Sequence, residues 1–130
     1  MEKFREKWDG KTVEDLGGYM SKEAKQFVSD FKRALKRELE PQGIEVISLT
    51  PNHYDCSGFL KKDDKYVYIS YDIPRWDKEI DFTEGGTNGE LYRTAQHERD
   101  FTGGHNNFSS LVDLPRNIIQ LYENYDRYTR

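Results

Sequence analysis

An α+β fold is what this 130-residue sequence predicts: two helices on one face of a four-stranded, mainly antiparallel sheet, in the order α-β-β-β-β-α. Three observations lead there. An apolar stripe at helical spacing runs over residues 24–39, and a second begins at Leu114. Short runs of β-branched and aromatic residues, broken by turn signals, lie between the two stripes. In KYVYISY, Val67 and Ile69 alternate with Tyr66 and Tyr68, the pattern of a sheet covered on one side only. A chain of this length holds a single modest core, so both helices are expected opposite Tyr66 and Tyr68 as a two-layer sandwich.

Residues 1–18 read as a charged arm with three apolar anchors, Phe4, Trp8 and Leu16, ahead of one domain over residues 19–130. An indole on a free tail leaves much apolar surface in water, so the arm is expected to dock. Ser21 is the N-cap of the first helix, whose stripe is Ala24, Val28, Phe31, Leu35 and Leu39. Pro41 and Gly43 end it. Strands follow over residues 44–49, 54–61 and 65–71, with turns at Thr50-Pro51-Asn52 and at Asp63-Asp64. Residues 72–88 are irregular. A fourth strand is expected over residues 90–95, then a polar loop, then a closing helix after Ser110 or Asp113. Pro115 fits the first turn of that helix, and its stripe is Leu114, Ile118, Leu121, Tyr122 and Tyr125.

Composition narrows the function. The net charge of −4 argues mildly against nonspecific binding to duplex nucleic acid. A single cysteine, Cys56, makes no internal disulfide, which points to a reducing compartment. With no apolar export segment and no run of membrane-spanning length, a cytoplasmic protein of a bacterial host is expected, without a membrane role.

The richest stretch is LYRTAQHERDFTGGHNNFSS, residues 91–110. His97, Glu98, Asp100 and His105 lie within nine residues, and His53 with Cys56 forms an H-x2-C pair. Zinc takes such ligands, but no HExxH, no CxxC and no repeating spacing accompanies them, so no metal or other cofactor is expected. His97 with Asp100 would suit acid–base chemistry, yet no nucleophile elbow, phosphate loop or kinase signature joins the pair. Gly103-Gly104 reads instead as a tight turn. Tyr66 and Tyr68, with Tyr92 on a neighbouring strand and Arg93 and Arg99 for phosphate, make a stacking platform for unpaired bases one alternative function, and a small enzyme using His97 and Asp100 the other. A protein-binding surface accounts for more of the chain, because Tyr, Trp and Arg dominate interface hot spots. Its expected members are Tyr66, Tyr68, Arg75, Trp76, Tyr92, Arg93, His97, Arg99, Asp100 and His105. A Trp76 folded back over the sheet edge is the competing reading for that residue.

The runs NHYDCSGFLKKDDKYVYISYDIPRW and LYRTAQHERDFTGGHNNFSS resemble small proteins carried by conjugative elements and phages of Firmicutes. In that group a YRTA…D(F/Y)TGG…NN(F/Y) run precedes a closing helix, and the similarity covers residues 50–112. The resemblance implies an anti-defence context, and anti-CRISPR proteins match the chain in size and character. The resulting expectation is a non-enzymatic inhibitor that binds a CRISPR effector or another host defence protein stoichiometrically and occludes a nucleic-acid-processing enzyme. Asp72, Asp77, Glu79, Asp81 and Glu84 would stand in for phosphates if the target patch is basic, though a solvated acidic loop explains them more simply.

Overall fold

The charged arm that the sequence predicts over residues 1–18 begins with a seven-residue helix, α1 (Glu2–Trp8). Phe4 and Trp8 are four residues apart, so one side of α1 is apolar, and that side is buried. The computed structural model describes residues 1–12, 21–74, 78–85, 89–101 and 103–129. Of the expected anchors Leu16 lies outside the described residues, as do the expected binding residues Arg75 and Trp76.

Helix α2 (Lys22–Leu39) carries the predicted stripe. The Ser21 hydroxyl accepts from the Ala24 amide at 3.0 Å, which satisfies one of the free donors of the first turn. A 3-10 turn, Glu40–Gln42, follows, and Gly43 closes it at φ 78 in the left-handed region. Phe4 stacks on Phe31 at 5.4 Å and meets Phe82 edge-on at 5.1 Å. The Trp8 indole donates to the Asp30 carboxylate at 3.0 Å, so the polar atom of the ring is satisfied inside the core. Burying these two rings contributes roughly 1.5–3 kcal/mol each, enough to hold a helix too short to be stable alone.

The sheet has five strands, not four: β1 (Glu45–Pro51), β2 (Asp55–Lys62), β3 (Lys65–Asp72), β4 (Glu90–Ala95) and β5 (Asn107–Ser109). They pair in sequence order, each antiparallel to the next. The fifth strand is short and lies inside the stretch expected to be loop. Its three residues carry too little pattern to stand out, and pairing with β4 is what makes them a strand. The register of β1 shifts between Val46 and Ser48, a bulge that leaves Leu49 opposite Gly58.

Alternation assigns the faces. Val46, Leu49, Cys56, Leu60, Val67, Ile69, Tyr71 and Tyr92 share one buried cluster with Phe27, Phe31, Leu35 and Leu39 of α2. Leu114, Ile118 and Leu121 of α3 (Leu114–Glu123) complete it. A last turn, α4 (Tyr125–Tyr128), follows. The Tyr125 hydroxyl is 2.7 Å from the Tyr66 carbonyl and 2.9 Å from that of Ala95, pinning the ends of β3 and β4. The helix layer therefore gains α1, and the predicted closing helix, whose stripe ran to Tyr125, divides into α3 and α4. The connection from β3 to β4 is not a free loop either. Ile80 and Phe82 are buried, and the Ile80 backbone pairs with Gly10 and Lys11 at 2.8 Å. Among the described residues no helix is long and apolar enough to cross a membrane.

Candidate partner-binding surface

On the face away from the helices, strand register sets side chains in rows. One row is Ser48, Phe59, Tyr68 and Arg93, and the next is Thr50, Ser57, Ser70, Leu91 and Phe108. The Glu45–Lys61–Tyr66–Ala95 row lies on the other side of the first. Tyr66 and Tyr68 thus occupy the predicted face, together with Arg93. Tyr92 does not. It pairs with Ile69, faces the helices and is buried, and that burial raises its hydroxyl pKa. Residues 73–89 separate β3 from β4, so no tight turn fixed their register in the sequence and the side that Tyr92 faces was not readable.

The loop after β4 folds back over this face. Phe101 packs at 5.5 Å from Phe59 and 5.7 Å from Tyr68, and those two rings are 5.3 Å apart. Arg93 is the post beneath it. The guanidinium stacks on Tyr68 at 4.4 Å, donates to Asn106 Oδ1 at 3.3 Å and donates to the Phe101 carbonyl. Phe101 keeps 56% of its surface exposed and Phe108 keeps 39%. A cleft of about 510 Å³ runs between β1 and this loop, lined by Ser48, Thr50, Phe59, Tyr68, Arg99 and Phe101.

The expected polar residues serve mainly to shape the loop. Asp100 Oδ2 accepts from the Gln96 amide at 2.8 Å, closing its first turn. Arg99 sits at φ 86, a conformation that a non-glycine residue adopts at a cost, and its side chain is exposed. Gly103 and Gly104 let the chain cross against β4, because a Cβ on Gly104 would lie 2.6 Å from the Thr94 carbonyl oxygen. The His105 amide then donates to the Tyr128 carbonyl at 3.2 Å, with the His105 side chain in solvent. His97 and Asp100 line a second cleft of about 630 Å³ beside Thr94, Gly104 and Tyr125. There the His97 Nδ1 lies 2.9 Å from the Glu98 carbonyl oxygen. Among the described residues no group of three His, Cys, Asp or Glu side chains is placed to hold a metal ion. His53 is exposed on a turn and Cys56 is fully buried, which divides that pair between solvent and core.

The acidic run is partly committed to local structure. Asp81 accepts from the amide and hydroxyl of Thr83, and these bonds hold its carboxyl below the usual range. Glu84 pairs with Lys78 at 3.0 Å, and Asp77 lies outside the described residues.

Leu91, Phe101 and Phe108 belong to this face and were not expected there, and Phe59, buried, packs beneath the Phe101 loop. For Phe59 the signal existed. A two-residue turn at Asp63-Asp64 pairs Lys62 with Lys65, and counting back places Phe59 opposite Tyr68. Phe101 had no such signal, because a loop residue obeys no period. Comparison of the chain with protein-family models, with curated proteins and with solved structures gives no match.

Proposed function

We propose that the chain is a binding protein that uses the open sheet face, capped by the Phe101 loop, to cover a surface of a protein partner. One observation carries the reading: aromatic side chains stay exposed on the face that no helix covers, around a fixed arginine. Phe101 and Phe108 are each more than a third exposed. Apolar rings held in place lose little conformational freedom on binding, and aromatic residues with arginine are enriched in interface cores. The sequence resemblance over residues 50–112 supplies the partner class, a nucleic-acid-processing enzyme of bacterial defence such as a CRISPR effector, inhibited by occlusion.

The stacking of unpaired bases draws less support. Lys61 lies over the Tyr66 ring at 5.5 Å and Arg93 over the Tyr68 ring at 4.4 Å, so a base stacking on either tyrosine would have to displace a cation.

The test titrates the purified chain into DNA-cleavage assays of a panel of CRISPR effectors from Firmicutes. The expected result is inhibition that saturates at a fixed molar ratio. The Phe101→Ala, Phe108→Ala double variant, folded by circular dichroism, should weaken inhibition at least tenfold, equivalent to about 1.4 kcal/mol. Inhibition that the double variant leaves intact sinks the proposed surface. Retention of short single-stranded oligonucleotides that falls steeply with salt would favour the base-stacking alternative.

A further inference from the structure

The most unusual side chain in the molecule lies on the other face of the sheet. Glu90 opens β4, pairs with Ser109 of β5 and faces the core. Its exposure is 0%, and among the described residues neither carboxyl oxygen has a hydrogen-bond partner of standard geometry. Native proteins leave very few buried polar atoms in this state, and a bare carboxylate is among the costliest of them.

The surrounding groups do not relieve that cost. From β2 come Asp55 and the buried Cys56 thiol, and from β3 come Asp72 and the buried Tyr71. The charges acting on Glu90 are those of Asp72 and Asp55, both acidic. Asp81 and Glu84 of the β3–β4 connection act in the same sense on Tyr71. From β5 comes the Ser109 hydroxyl, which donates to the Ser110 carbonyl at 2.8 Å and accepts from Asn117 of α3, also at 2.8 Å. Burial is the largest cause raising the proton affinity of Glu90. Asp72 and Asp55 add to it, and the Ser70 and Leu91 amides oppose it.

The backbone just before Glu90 is sealed as well. A Cβ on Gly89 would lie 2.5 Å from the Ser109 carbonyl oxygen and 3.0 Å from that of Glu84. The backbone at the start of β4 is therefore packed against both β5 and the 81–85 segment.

We propose that Glu90 is a proton-operated latch: as the neutral acid it lets the start of β4 lie closed between β5 and the 81–85 segment, and loss of its proton opens that corner of the sheet. Phe108 precedes Ser109 on β5, so opening also disturbs one end of the open face. The latch stands whether or not that face binds a partner.

Two measurements test it. In carboxyl carbon NMR of the wild-type protein, Glu90 should keep the protonated shift at pH well above the ordinary carboxyl value of 4.5. Hydrogen exchange at β5, corrected for base catalysis, should show an opening constant that rises with pH. The expected rise is about tenfold per unit, the slope of a one-proton linkage, and Glu90→Gln should flatten it. A Glu90 carboxyl that titrates near 4.5, or a β5 slope shared by wild type and Glu90→Gln, overturns the latch. If Glu90→Gln does not fold, the wild-type carboxyl titration alone decides.

Discussion

Replacing Arg93 with alanine removes the post on which the loop after β4 stands. The guanidinium has three contacts to lose: the Tyr68 ring at 4.4 Å, Asn106 Oδ1 at 3.3 Å and the Phe101 carbonyl. At a partly exposed site the stack contributes about 0.5–1 kcal/mol. The two hydrogen bonds contribute about 0.5–1 kcal/mol each. Arg93 Nε is buried with no hydrogen-bond partner among the described residues, and about 1 kcal/mol of desolvation disappears with the side chain. The net loss expected is about 1 kcal/mol, or roughly 3–5 °C in Tm for a domain of this size. The local effect is larger, because the Phe101 carbonyl and Asn106 Oδ1, both in the loop, lose a donor. Amide exchange over residues 98–104 should speed up about tenfold, a change of roughly 1.4 kcal/mol in local opening. Arg93→Lys keeps the charge but not the planar fork, and should recover less than half of the loss. Calorimetry and hydrogen–deuterium exchange on the three proteins decide the matter. An alanine variant with wild-type exchange over the loop and a Tm within about 1 °C of wild type would refute the role given to Arg93.

Asp30 sets the acid limit. Burial opposes its ionisation, but bonds from Lys7, Gln26, Trp8 and Arg33 prevail and bring its pKa from 3.8 down to about 2. Because the folded value is depressed, the stabilisation is present above pH 3.8 and is lost as pH falls toward 2. Asp30→Asn should cost about 2 kcal/mol at neutral pH and flatten the urea midpoint over that acid window, whereas an unchanged acid limb would show the hub to be idle. Gly104→Ala meets two penalties, φ +68 and a Cβ 2.6 Å from the Thr94 carbonyl oxygen. Together they should cost about 3 kcal/mol in chemical denaturation, and a loss under about 0.5 kcal/mol would show that the loop does not cross β4 so closely.

Much of the fold was legible because it follows from local periodicity. The stripe from Ala24 to Leu39 could only be a helix with one buried side, and Ser21 and Gly43 bounded it correctly. Alternation in Lys65–Asp72 separated Val67 and Ile69 from Tyr66 and Tyr68 before any partner strand was known. The face of Tyr92, the strand at Asn107–Ser109 and the helix at Glu2–Trp8 were not legible. Each depends on an element distant in sequence: β3 across a long connection, β4 across a loop, and α2 across residues 9–21.

The polar run over residues 91–110 shows the same division. Its sequence alone determined that the chain must turn sharply there, since Gly103, Gly104 and Asn106 tolerate the backbone that a turn requires. Tertiary structure decided what the turn accomplishes. Arg93 lies under Phe101, Asp100 accepts from a backbone amide, and Glu90 is buried beside β5 without a hydrogen-bond partner among the described residues. Local sequence fixes dihedral preference and periodicity because these act within a few residues. Which side chains meet, and which carboxyl loses its water, depends on register and packing between segments that the sequence does not place side by side.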